Sequence, residues 1–275
     1  MTTALFELAV SVPKRVAELN SLINHAEICE KKAGESLFTE QLYNAICRAT
    51  SVLMASHLEG FLKDLTSGLV SDLASYSNGF ASLPSAIKRS FCLKIAYYEN
   101  VPQQDIDDRT KQLTAFFSKH SVPVDLQAIS YKESPNKNTT SAIIEKQLGK
   151  LGIPNILDSL RGGRFDDVFD NDRISGDTLR RDLVRFRSRL FSYPYRSLPS
   201  EYTFNFRRTI PETQNQSMWH IYIEEILVRR HRIAHGDTME NETSWKSLRQ
   251  DIVKLEVFMQ GLMYAAAAYL CPASP

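Results

Sequence analysis

The sequence predicts a mainly α-helical fold in a single domain, residues 1–275. Along two long stretches apolar residues recur at steps of three and four, a period that lines one face of a helix. Strand-like alternation is weak and limited to residues 202–210. With 43% hydrophobic and 24% charged residues, the chain is long enough to bury a full-sized core. Length alone would also allow two smaller domains.

Leucine-rich periodicity predicts the two long helices. The first covers residues 39–75, which contain no proline, and Gly60 suggests a break within it. Its apolar face consists of Leu58, Leu62, Leu65, Leu69 and Leu73. The second begins near residue 245 and ends in an alanine-rich turn suited to close helix packing. Its apolar face consists of Trp245, Leu248, Ile252, Leu255, Met259 and Leu262.

Shorter helical patterns cover residues 84–100, 105–119, 140–151 and 218–235. Two segments interrupt them. Residues 121–139 are polar and rich in turn-forming residues, which predicts a connection between helices. The other segment, residues 161–216, is predicted to be an insertion.

Arginine and aromatic residues dominate this predicted insertion. Residues 161–208 contain eleven arginines and no lysine, seven acidic residues, and nine Phe or Tyr. Arginine binds phosphates bidentately and aromatic rings stack on bases, so the composition suits single-stranded RNA. A segment packed on a helical bundle would also need aromatics to bury and arginines to pair with its aspartates. We favour this second interpretation, because charge runs are usually solvated faces.

Charge, cysteine usage and hydropathy narrow the protein class. A net charge of +1 means that nucleic-acid binding would need a local basic patch. The four cysteines form no CxxC pair, which argues against a zinc ribbon or a disulfide framework and favours a reducing cytoplasm. The N-terminus makes a poor secretory signal, and the most apolar stretch, residues 262–271, is about half the roughly 20 residues that span a bilayer. We therefore expect a cytoplasmic protein without a membrane segment.

The stretch RRHRIAHGD, residues 229–237, places three arginines and two histidines within seven residues. Cations packed so closely repel one another, so we expect an anion nearby. Gly236 suits the position just past a helix end, where one basic residue would stabilise the helix dipole. The cluster exceeds that need, although Glu224 and Glu225 just upstream are expected to neutralise part of its charge.

A metal site is the first alternative for this cluster. His231 and His235 have the spacing of the HExxH zinc helix, but Arg232 stands where that motif has its catalytic Glu. The flanking Arg229 and Arg230 would repel a dication, so we predict neither a metal site nor a cofactor. Histidine can instead relay protons near neutral pH while a guanidinium stabilises a reacting phosphate. RNA supplies its own nucleophile, the 2′-hydroxyl, and such a pair could therefore cleave RNA without a metal.

The cluster resembles the Arg-x(4–6)-His signature of the HEPN superfamily, many of whose members are metal-independent endoribonucleases. Arg230 and His235 stand at the signature positions, within the string RHRIAHG. Two further stretches, LMASHLEGFLKDL at 53–65 and SPNKNTTSAIIEKQLGKLGI at 134–153, resemble helices of the MAE-like branch. The likeness covers roughly residues 1–160 and 217–270. It implies a HEPN-type helical bundle into which the arginine-rich and aromatic-rich segment is inserted.

By that resemblance Arg230 and His235 form the catalytic pair, His231 is a supporting donor or proton carrier, and Arg229 and Arg232 bind substrate. It further implies a homodimer with two motifs facing one cleft, an RNA substrate, and a toxin or phage-defence effector with an antitoxin or defence-system partner. Two alternatives stay open, namely a catalytically silent HEPN module that binds RNA, a nucleotide or a protein, and a purely structural bundle. Glu59 could reach the cluster across the bundle or pair with Lys63; we favour Lys63.

Overall fold

The structure, a computed structural model, describes residues 2–32, 37–76, 79–120, 140–170, 173–206, 216–236 and 243–270. These residues form nine α-helices with short 3-10 turns and no strand, which confirms the mainly α prediction. The helices are α1 (Ala4–Lys31), α2 (Leu37–Tyr76), α3 (Ser85–Ala96), α4 (Gln103–His120), α5 (Ser141–Lys150), α6 (Ile156–Ser159), α7 (Arg173–Arg185), α8 (Met218–Ala234) and α9 (Trp245–Leu270).

Four helices, α1, α2, α8 and α9, build the core of the bundle: α1 packs on α2 and α9, while α2 also contacts α8 and α9. The predicted leucine face of α2 is buried along its whole length. Helix α9 is the most enclosed, because every residue from Leu255 to Ala267 is buried. A helix that is buried all round lies at the centre of the domain.

The break expected near Gly60 is wrong, because α2 runs without interruption through this position. A glycine is needed at this position because a side chain would crowd Arg15 of α1. A Cβ atom at Gly60 would lie 3.0 Å from Nη1 of Arg15 on α1. That guanidinium donates to Asp64 Oδ2 at 2.5 Å, so the missing side chain lets an ion pair tie α1 to α2.

Helices α1 and α7 were not predicted as helices from the sequence. Helix α1 contains Pro13, which usually ends or kinks a helix, yet Leu5, Val12 and Leu19 bury the same face on both sides of it. Residues 202–206, the described part of the stretch with weak strand-like alternation, form no strand: Tyr202 ends a 3-10 turn and the chain beyond it is irregular. The rest of that hint, 207–210, and the connection 121–139 lie outside the described residues.

None of the described helices is both long enough and apolar enough to cross a bilayer.

Candidate active site

Helix α8 carries the arginine and histidine cluster at its C-terminal end. The hydroxyl of Ser217 caps the first turn by accepting the amide of His220. The buried face consists of Trp219, Tyr222, Ile223, Ile226 and Leu227. His235 is the residue that follows the last helical turn, and Gly236 has a positive φ of 73°. The helix therefore ends within the cluster, as predicted.

Arg230 is held from across the bundle. Its Nη1 lies 3.4 Å from Oε1 of Glu59 on α2, and the two side chains are 29% and 27% exposed. Of the two contacts considered for Glu59, the structure shows the long-range one to Arg230. The carboxylate occupies one edge of the guanidinium, and the remaining donors stay at the rim of the bundle.

Arg229 pairs with a carboxylate on α9. Its Nη1 donates to Oδ2 of Asp251 on α9 at 2.9 Å. Glu224, expected to neutralise the arginines, instead accepts the Ser141 amide at 2.8 Å and its hydroxyl at 2.5 Å, at the start of α5. That part of the prediction is wrong, because α5 lies on the side of α8 to which Glu224 points.

Asp251 is itself supported by a buried tyrosine. The Tyr222 hydroxyl donates to the backbone carbonyl of Asp251 at 2.5 Å. Burial, and then the charge of Asp251, raise the pKa of this hydroxyl well above its ordinary value, so it remains a donor at neutral pH. One ion pair and one hydrogen bond therefore join α8 to α9 at Asp251.

The two histidines of the cluster form an exposed pair. The ring centroids of His231 and His235 lie 4.2 Å apart at 54°, and the His235 amide donates to the His231 carbonyl at 3.0 Å. Both side chains are exposed, as is Arg232. Five residues correspond to about 140° of helix rotation, so Arg230 points toward α2 while His235 points outward. A phosphate at the helix end would meet a guanidinium on one side and imidazoles on the other.

In the described parts of the chain, no group of three or more His, Cys, Asp or Glu side chains is placed to hold a metal ion. At the cluster itself, two imidazoles stand beside Arg230 and Arg232, a donor set that suits an anion better than a dication.

A family model described as RiboL-PSP-HEPN matches residues 14–271, nearly the whole chain. The chain belongs to the HEPN superfamily. No curated protein and no solved structure gives a significant match. The HEPN match runs through residues 161–216, which the resemblance seen in the sequence did not cover.

In this HEPN chain the arginine-rich segment is packed on the bundle. Leu179, Leu183 and Leu190 are fully buried, and the hydroxyl of Tyr195 donates to Asp72 of α2 at 2.6 Å. Phe165 contacts Phe204 and Tyr202 through its ring. Much of the aromatic content that suggested base stacking is thus used in packing.

Several arginines of the segment are engaged within the protein. Arg180 donates to Oε2 of buried Glu256 at 2.6 Å. Arg164 lies 3.6 Å from the carboxylate of Asp182 and donates to the Tyr202 hydroxyl at 3.0 Å. These contacts favour the packing interpretation over phosphate binding. Arg185 differs from them, because it is exposed and forms only a weak pair with Asp182 at 3.7 Å.

Proposed function

We propose that this HEPN chain is a metal-independent endoribonuclease whose catalytic residues are Arg230, His235 and His231. The supporting observation is the arrangement at the end of α8, where Arg230 pairs with Glu59 and the exposed imidazoles of His231 and His235 contact each other. A purely structural helix end needs one cation at most, whereas phosphoryl transfer needs a charge clamp and proton carriers together.

The reaction would be transesterification by the RNA itself. One histidine takes the proton of the 2′-hydroxyl, and the 2′-oxygen forms a bond to phosphorus. The bond from phosphorus to the 5′-oxygen breaks, and a second histidine gives that oxygen a proton. Arg230 neutralises the charge that builds on the phosphorane. The products are a 2′,3′-cyclic phosphate and a 5′-hydroxyl.

In-line attack places the base and the acid on opposite sides of the phosphorus, which one helix end cannot do alone. We propose that a second copy of the chain completes the site. Three apolar side chains on the outward face of α8, Met218, Ile221 and Val228, are 50%, 40% and 53% exposed. Their face continues toward Arg232 and His235 at the helix end. Covering it with a second copy would bring two clusters together.

Substrate binding is proposed for the two remaining arginines of the cluster, with unequal roles. Arg232 is exposed at the outward face and is suited to contact an RNA phosphate directly. Arg229 is 21% exposed and is paired with Asp251, which offsets much of its charge, so its role in substrate binding is the smaller one.

The direct test is cleavage of total cellular RNA by purified protein in excess EDTA. We expect wild type to cleave, and Arg230→Ala and His235→Ala to be inactive with native circular dichroism. His25→Ala removes an exposed histidine of α1, and Arg15→Ala removes another arginine paired between helices, so both serve as matched controls. Activity that is lost in EDTA and returns with a divalent ion would refute the proposal. RNA binding without cleavage would support the silent-module alternative.

We also propose a role as a toxin or phage-defence effector in the cytoplasm, with an antitoxin or defence-system partner. Membership of the MAE-like branch is part of the same proposal. Its support is the HEPN relation, since many such nucleases act on cellular RNA. Induced expression in a bacterial host provides the test. Growth arrest by wild type but not by His235→Ala would agree with the proposal, and equal growth of both would contradict it.

A further inference from the structure

The surface formed by α3 and α5 differs in charge from the rest of the bundle. The two helices carry five basic residues and one acidic residue, Glu145. The Glu145 carboxylate is directed inward, where it accepts the amides of Ile156 and Leu157 at 3.0 and 2.8 Å. The single negative charge of these helices is therefore used to cap α6.

Three of the basic residues come together where α3 contacts α5. Lys146 and Lys150 are four residues apart and share one face of α5, and Lys94 lies in the last turn of α3. All three side chains are exposed. Partial burial, and then the charges of Lys146 and Lys94, lower the pKa of Lys150. Like charges gathered in this way favour binding of a polyanion.

Two exposed aromatic side chains follow Lys94 along the chain, at the C-terminal end of α3. Tyr97 and Tyr98 directly follow α3 and are 60% and 63% exposed. The guanidinium of Arg109 on α4 lies 5.9 Å from the Tyr98 ring centroid. Exposed tyrosine rings beside cations are typical of surfaces that stack unpaired bases, because every base offers a π face.

We propose that Lys94, Lys146, Lys150, Tyr97 and Tyr98 form a binding surface for single-stranded RNA outside the catalytic cluster. The inference rests on the proposed function for its substrate class and adds where the strand is held. Helix α5 is joined to α8, the helix that carries the cluster, by the two hydrogen bonds from Ser141 to Glu224. The lysines contact phosphates and the tyrosines stack on bases.

The test is binding of a 30-nucleotide uridine oligomer to full-length His235→Ala protein, which separates binding from cleavage. Replacing Lys94, Lys146 and Lys150 by alanine should remove about 2 from the slope of log K against log salt, since each single-strand phosphate contact contributes about 0.7. At 0.1 M salt this corresponds to an affinity loss on the order of 100-fold. Replacing Tyr97 and Tyr98 by leucine should cost about 5-fold or more, and a duplex of equal length should bind more weakly than the single strand.

A matched control removes the same amount of charge elsewhere. Lys14, Lys31 and Lys111 are exposed on α1 and α4, and their joint replacement by alanine should change affinity less than 3-fold, as expected for long-range charge alone. Equal losses in both triple variants, or a duplex bound as tightly as the single strand, would overturn the proposed surface. No binding by the parent protein would overturn it too. If RNA binding depends on the lysines but the wild-type protein cuts no RNA, the proposed surface stands and only the nuclease proposal is overturned.

Discussion

Glu59 is expected to act on catalysis through Arg230. The pair spans 3.4 Å, makes one contact, and has side chains that are 29% and 27% exposed. Such a pair contributes about 1 kcal/mol to folding, a small part of the roughly 5–15 kcal/mol of a typical domain. Glu59→Gln should therefore leave the protein folded and lower Tm by about 2–4 °C. A guanidinium displaced by about 1 Å costs on the order of 100-fold in rate, so kcat should fall roughly 10- to 100-fold.

The assay is single-turnover cleavage of a labelled RNA, combined with a double-mutant cycle. If Glu59 works only by positioning Arg230, the double variant Glu59→Gln/Arg230→Ala should be no slower than Arg230→Ala alone. Asp64→Asn breaks the comparable Arg15 pair between α1 and α2, and should change stability but not rate. Unchanged or faster cleavage in Glu59→Gln, or additive losses in the cycle, would refute the reasoning.

Three further predictions concern packing, assembly and products. Arg180→Ala should lower the free energy of unfolding by about 3 kcal/mol, since it leaves the Glu256 carboxylate buried and unpaired, whereas exposed Arg185→Ala should change it by less than about 0.5 kcal/mol in chemical denaturation. Burial raises the pKa of Glu256, so its carboxyl group stays protonated to a higher pH in the folded state than in the unfolded chain. The free energy of unfolding therefore falls as pH rises from the pKa of the unfolded state toward the raised pKa of the folded state. Arg180 opposes that rise, so the deficit of Arg180→Ala should be larger at pH 7 than at pH 5; an equal deficit would contradict the pairing. Val228→Glu should shift light scattering toward monomer and lower activity, and an active monomer would exclude the composite site. RNA carrying a 2′-deoxy group at the cut position should resist cleavage, while 5′-phosphate ends would point to a water nucleophile instead.

Helix content and the location of the cluster were accessible from sequence, because both depend on neighbours along the chain. A period of three and four residues places Leu58, Leu65 and Leu69 on one face whatever they later contact, and all three are buried. The spacing of Arg230 and His235 within one helix end is likewise local, and Gly236 marks where that helix stops.

Helices α1 and α7 could not be predicted from the pattern of apolar residues along the chain. Pro13 weakens the helical signal of α1, but burial of its apolar face against α2 and α9 outweighs the lost backbone hydrogen bond. For α7 the arginine-rich composition allowed two interpretations: a segment packed on the bundle, which we favoured, and a surface for single-stranded RNA. Only packing reveals that Arg180 reaches the buried Glu256, 76 residues away.

The sequence by itself determined the helical class, the arginine and histidine motif, and therefore the chemistry that the site is suited to. The tertiary structure decided which carboxylates meet that motif: Glu59, 171 residues from Arg230, and Asp251, 22 residues from Arg229. The same packing directs Glu224 to the start of α5 instead. Contacts within one helix follow from its fixed rise and rotation, whereas contacts between helices depend on crossing angles and axial offsets that are set by packing the whole core.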